Sequence, residues 1–281
     1  MPGHHGSGTK GGSRLSQSDR FYAHVDKAIV DWISLKDGNN VLDAGCGAGG
    51  VTSLLAAGVG ESGQVTAFDI DEQTLVVAKN TLGQTEYHPR VVFQEADVSA
   101  LPFPDDQFDF AWCSRMIHHI KDQVGGVKEL CRVLKPGGKL FLREGGLRPR
   151  ILPADIGLGI PGLEDRLSAH FSKWFSANVR QTSDSAAYHF GWTQMLRDSG
   201  FTDVSGKSFL VEFFSPFEEY QVDFVSQQLS IWLEDEERET LLSEDDRATL
   251  KMILSPESPY YAFMRADLHY CEVITVYQGR A

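Results

Sequence analysis

Val41-Leu42-Asp43-Ala44-Gly45-Cys46-Gly47-Ala48-Gly49-Gly50 is the stretch that decides the fold of this 281-residue chain. It reads as the end of a strand, a glycine-rich turn and the opening of a helix over Val51 to Ala57. Gly45, Gly47 and Gly49 carry no Cβ, so backbone can pass close to a ligand there. The first N–H groups of the helix are expected to point at the same place. A G-x-G turn also serves dinucleotide folds. Asp43 separates the two cases: a carboxylate beside the glycines repels a pyrophosphate and suits a ligand bearing ammonium and sulfonium charges.

Working outward, Gln64 to Asp69 reads as a second strand ending in an acid. Asp69 lies about 20 residues beyond the glycines, where a carboxylate meets ribose hydroxyls in a βαβ unit. Asp71 is the better N-cap for the helix over Glu72 to Leu82, which turns Leu75, Ala78 and Leu82 inward. Val91 to Val98 is a third strand and its exit turn, with Asp97 in the turn. Leu101-Pro102-Phe103-Pro104-Asp105-Asp106-Gln107-Phe108-Asp109 leads to a fourth strand, Phe110 to Ser114. Ser114 and Arg115 leave that strand at its C-terminal end, where ligands sit in open α/β sheets. His118 and His119 follow. A helix over Asp122 to Leu134 ends in the turn Lys135-Pro136-Gly137-Gly138, and Lys139 to Glu144 is the fifth strand.

As a set, these segments resemble the class I S-adenosylmethionine-dependent methyltransferases, in their small-molecule, quinone-biosynthesis-like subgroup. The resemblance covers roughly Asp19 to Glu144. Val41 to Gly50 is similar to motif I, L-P-F-P-D-x-x-F-D is typical of the subgroup, and R-V-L-K-P-G-G-K-L resembles the post-motif turn. The resemblance implies S-adenosylmethionine as cofactor and S-adenosylhomocysteine as product. It implies a cofactor site of Tyr22, Asp43, Ala44, Gly45, Cys46, Gly47, Gly49, Asp69, Ile70, Asp97, Val98, Ser114 and Arg115. In it Asp97 accepts from the adenine amino group and the Val98 N–H reaches a ring nitrogen. Tyr22 enters because a helix ahead of motif I often closes over the methionine end in this class.

The expected fold is α/β: a Rossmann-like, doubly wound, seven-stranded sheet with an antiparallel last strand and helical lid insertions. Residues 1–18, rich in Gly, Ser and His, read as a disordered tail. Residues 19–281 read as one domain with a cofactor-binding core over 19–145. Asp19 is a plausible N-cap for a helix carrying Phe21, Val25, Ala28, Ile29 and Trp32 on one face. Gly145 to Gly162 reads as a mobile loop. Helices follow from Leu163 to Asn178 and from Ala186 to Ser199, then a sixth strand over Val204 to Phe214. Further helices cover Phe217 to Glu239 and Glu244 to Leu254, and Tyr270 to Gln278 is the last strand. The insertions, about 146–199 and 215–258, are rich in aromatics and are expected to form a lid over the acceptor.

A net charge of −13 without a Lys/Arg cluster argues against nucleic acid as partner. The four cysteines form no C-x-x-C pair, so no metal site is expected. There is no run of about 18 apolar residues and no apolar signal-peptide core, so a cytoplasmic protein without a membrane span is expected. A homodimer is compatible with this reading.

Methyl transfer from a sulfonium needs in-line placement and exclusion of water. A base is required only if the acceptor must lose a proton. His118, His119 and Glu144 are the candidates, while Arg143 or Arg148 offer an alternative role in binding an anionic acceptor. Ser114-Arg115-Met116 stands where N-P-P-Y would mark amino-group methylation of adenine or glutamine. A small, partly apolar metabolite is therefore the expected acceptor, with O-, N- and C-methylation all open. Two other classes remain: a nicotinamide-dependent oxidoreductase, and a non-catalytic protein that binds S-adenosylmethionine.

Overall fold

The computed structural model describes residues 9–180 and 188–281. Seven strands lie in the order β3-β2-β1-β4-β5-β7-β6. They are β1 (Asn40–Ala44), β2 (Gln64–Asp69), β3 (Val91–Glu95), β4 (Phe108–Ser114), β5 (Leu134–Arg150), β6 (Thr202–Phe214) and β7 (His269–Arg280). The ladders β1/β2, β2/β3, β1/β4 and β4/β5 are parallel. Val41, Leu42 and Ala44 are buried, as expected of a central parallel strand covered on both faces.

β7 runs against its neighbours. At its far end the Gly137 N–H donates to the Ala281 carbonyl and the Ala281 N–H to the Gly138 carbonyl, so the end of β7 meets the start of β5. Gln278 donates to Ser205 Oγ, and Arg280 reaches Asp203, so β6 meets β7 in the same opposed sense. The expected seven-stranded sheet with an antiparallel last strand is the one observed.

Contact density divides the chain into two compact units. The first comprises Met1–Gly145, Asp184–Phe209 and Ile274–Ala281. It holds α1 (Thr9–Ile33), α2 (Gly50–Gly58), α3 (Glu72–Gly83), α4 (Gln123–Arg132) and, after the insertion, α6 (Trp192–Asp198). Its core packs Leu42, Phe68, Phe108, Leu130, Leu140 and Leu196. Asp71 caps α3 by accepting from the Gln73 N–H, as its position predicted.

The second unit comprises Gly146–Ser183 and Leu210–Val273. Within it lie α5 (Leu163–Phe175), α7 (Glu219–Glu234), α8 (Glu236–Glu239) and α9 (Glu244–Leu254). Arg166 of α5 pairs with the nearly buried Asp246 of α9 at 2.6 Å. The Arg238 guanidinium lies 4.1 Å over the Trp174 ring. No described helix is long and apolar enough to cross a membrane.

Several boundaries differ from expectation. Residues 9–18 belong to α1 rather than to a tail, while residues 1–8 of that expected tail lie outside the described residues. The start of the helix expected from Ala186 also falls outside them; the helix observed is α6. β5 begins at Leu134 and absorbs Lys135-Pro136-Gly137-Gly138 as an irregularity. Leu134 pairs with Phe108 and Lys139 with Phe110, so the extra residues bulge out between two neighbouring rungs, with Gly137 at φ +83°. β5 also continues to Arg150, through the first residues of the expected loop.

Candidate active site

The glycine turn lies where β1 ends, and five of its backbone donors are already engaged. The Gly45 and Cys46 N–H groups both donate to the Phe68 carbonyl at 2.9 Å. Gly47 donates to Asp69 Oδ2 at 3.2 Å, Gly49 to the Cys46 carbonyl at 3.1 Å, and Gly50 to Asp19 Oδ2 at 2.9 Å. Gly45, Gly47 and Gly49 all have positive φ, which explains the glycines. A loop whose donors are spent presents carbonyls and carboxylates, and these attract cations.

This corrects two expectations. The N-terminus of α2 does not offer its leading N–H as an anion site, because the Asp19 carboxylate occupies it. Asp19 itself lies inside α1 and caps α2, not its own helix. Sequence reading placed the acid near a helix start but on the wrong helix.

Three carboxylates surround the turn. Asp43 is 2 % exposed and accepts from the Thr52 hydroxyl at 2.6 Å. Burial pushes its pKa up to about 7, with Asp19 and Asp69 adding repulsion. Burial likewise raises Asp19 to about 6, against the lowering effect of the Gly50 N–H. Asp69 is raised by burial in spite of its backbone hydrogen bonds. The Cys46 thiol is pushed up by burial and by the Asp43 and Asp69 charges, so it stays protonated. Ala44 is buried in the strand.

Asp69 accepts from the Asp71 N–H through Oδ1 and from Gly47 through Oδ2, and the Ile70 N–H also bonds to its carboxylate. Ile70, next to it, is 67 % exposed, an apolar side chain at the C-terminal edge of the sheet. Asp97 is exposed and accepts from the Ser99 N–H, while the Val98 side chain is buried in the core. Ser114 ends β4 in register with Arg143. Arg115 adopts φ +51°, uncommon for a residue with a side chain, and donates its N–H to the Arg143 carbonyl.

Tyr22 lies between two cations. The Arg115 and Arg143 guanidinium carbons lie 5.3 and 5.0 Å from its ring centre. Arg143 also pairs with Asp26 of α1 at 2.7 Å, both side chains nearly buried. Arg143 is thus a structural ion pair and not a receptor for an anionic acceptor. Arg148, in the second unit, lies 3.9 Å over the Phe171 ring.

The candidate bases divide. His118 Nδ1 lies 2.7 Å from Glu144 Oε2, and the His118 N–H donates to Oε1 at 3.4 Å. A carboxylate accepts, so Nδ1 carries the proton and Nε2 is the basic nitrogen. Glu144 is 2 % exposed; it is the partner that orients the imidazole. The His119 ring lies 3.9 Å from that of His118. Trp192 and Tyr277 approach Gly145 beside Glu144, and the Tyr277 hydroxyl is raised by burial and by the Glu144 charge. Neither residue was singled out in the sequence, because both lie far along the chain. Among the described residues no cluster could hold a metal ion.

Residues 42–142, which carry the glycine turn and both histidines, match the family described as Methyltransferase domain. That match takes in about a third of the chain, and it is this stretch that is similar to methyltransferases. It is similar to the 2-phytyl-1,4-naphtoquinone methyltransferase of Nostoc punctiforme, 40% identical over 41% of this chain and 50% of that protein. It is also similar to the ubiquinone/menaquinone biosynthesis C-methyltransferase of Hahella chejuensis, 35% identical over 41% of this chain and 46% of that one. The matches thus span about half the length of these relatives. The solved YcgJ protein of Bacillus subtilis shares the fold over 92% of this chain and 98% of its own, with TM-score 0.58 and 18% identity.

Proposed function

We propose that the protein transfers the methyl group of S-adenosylmethionine to a small, partly apolar acceptor. The observation that carries this reading is the glycine turn: five of its N–H groups are already bonded, and the Asp43 and Asp69 carboxylates lie beside it. That surface repels a pyrophosphate and favours a ligand with positive charges, which argues against a nicotinamide cofactor.

The residues fit the group. The turn and Asp43 would face the cationic end, Asp69 the ribose, and Ile70 and Asp97 the adenine. When bound, S-adenosylmethionine supplies a methyl group activated by its sulfonium. His118 Nε2 takes the proton from the acceptor nucleophile, and Glu144 stabilises the imidazolium so formed. Tyr22 and α1 shield the turn from water. The naphthoquinone and ubiquinone/menaquinone chemistry of the relatives makes reduced quinones the first acceptors to try.

Calorimetric titration with S-adenosylmethionine, S-adenosylhomocysteine and NAD tests the cofactor. Micromolar binding of the first two and none of NAD is expected; binding of NAD alone would overturn the reading. Transfer of a tritiated methyl group to a reduced quinone then tests the acceptor. Tight cofactor binding without turnover on any acceptor would leave a binding protein instead of an enzyme.

A further inference from the structure

Three points hold the glycine turn. Two come from β2: the Phe68 carbonyl, which takes the Gly45 and Cys46 N–H groups, and the Asp69 carboxylate, which takes that of Gly47. The third comes from α1. Asp19 Oδ2 accepts the Gly50 N–H across a separation of 31 residues. The N-cap residue of α2 is Gly49, which has no side chain to do this.

The space confirms the assignment of that contact. A Cβ on Gly50 would lie 2.5 Å from Asp19 Cγ, so glycine stands there to admit the carboxylate. Leu15, one turn earlier in α1, reaches 3.9 Å from the place of a Gly47 Cβ. Further along, α1 is held by Asp26 on Arg143 and by Ser18, which accepts from Arg115.

We propose that Asp19 is a positioning residue for the cofactor turn: it caps α2 from outside, so that the turn keeps its ligand-binding shape only while α1 is docked. The proposal rests on the methyltransferase reading for its ligand, but not for the cap itself. The carboxylate acts through the Gly50 N–H and not by touching the ligand. Asparagine can accept the same hydrogen bond without charge; alanine cannot.

The test uses the full chain and S-adenosylhomocysteine, which is not consumed. Asp19→Ala is expected to weaken binding about tenfold, within the range for a lost cap. Asp19→Asn should stay within about twofold of the unaltered protein. Gly50→Ala leaves the sequence of α1 intact but crowds Asp19 from the α2 side, at both its Cβ and its carboxyl group, and should weaken binding as Asp19→Ala does, so the test survives if Asp19→Ala fails to fold. Amide hydrogen exchange at Gly50, measured without ligand, should quicken in Asp19→Ala and not in Asp19→Asn. Unchanged binding in Asp19→Ala overturns the proposal. So does an Asp19→Asn variant as weak as Asp19→Ala, since charge and not capping would then be responsible. If the unaltered protein bound no S-adenosylhomocysteine, the cofactor reading would fall, and Gly50 exchange alone would decide the cap.

Discussion

His118 Nδ1 lies 2.7 Å from Glu144 Oε2, joining the turn that follows β4 to the interior of β5. The two residues are 26 positions apart, and Glu144 is 2 % exposed. In the proposed function His118 is the base and Glu144 its holder. His118→Ala should therefore lower turnover by about a hundredfold or more, the usual contribution of a positioned base. Affinity for S-adenosylhomocysteine should stay within about twofold. Equal turnover in the variant would return His118 to a structural role.

Glu144→Gln keeps an acceptor for Nδ1 but removes the charge that stabilises the imidazolium. The rate should fall by about tenfold or more, with affinity for S-adenosylhomocysteine kept. A rate equal to that of the unaltered protein would show that Glu144 is a packing residue.

Asp69→Ala should weaken cofactor binding by about 1–3 kcal/mol, the cost of deleting a buried hydrogen-bond partner. It removes the acceptor for Gly47 as well as the proposed ribose contact. Asp97 is exposed, so Asp97→Ala should cost less, towards the lower end of about 1 kcal/mol. Calorimetry on both variants checks the order; equal and undiminished binding in both would remove them from the site.

The buried carboxylates make stability depend on pH. Asp43 and Asp19 are raised to about 7 and about 6, and Asp69 is raised too. A raised carboxylate stabilises the fold below its unfolded pKa, and that contribution is lost as pH rises through the folded value. The ligand-free protein should therefore melt at a lower temperature at pH 8 than at pH 5.5, through these groups. A cationic ligand offsets the repulsion. The melting shift from S-adenosylmethionine should thus exceed that from S-adenosylhomocysteine by a margin that widens with pH. A margin independent of pH would mean that Asp43 and Asp69 do not sense the ligand's charge.

Asp26 and Arg143 form a buried ion pair 117 residues apart. Removing one partner leaves an uncompensated buried charge, so Asp26→Ala should cost about 3–5 kcal/mol in urea unfolding. The double variant Asp26→Leu with Arg143→Met should be less damaged than the single one. Equal losses would show that packing, not charge, governs this contact.

Much of the first unit was legible because its signals are local. The glycines with positive φ, the Asp71 cap and the apolar runs of β1 and β2 all express backbone sterics and periodicity within a few residues. The candidate list for the site was legible for the same reason: Asp43, Asp69, Asp97 and His118 each leave a strand at its C-terminal end. Which partners those side chains meet was not. Asp19 sits at a helical position that reads equally well as the cap of its own helix. Arg143 and Glu144 are adjacent in sequence but alternate across β5, one reaching Asp26 and the other His118. Local pattern thus determined the order of elements and the chemistry available at their ends. Only the tertiary structure decided that Asp19 caps α2, that Arg143 pairs with Asp26, and that His118 and Glu144 meet. Those outcomes depend on which faces meet across 26 to 117 residues of chain, and hydrophobic periodicity carries no information about such pairings.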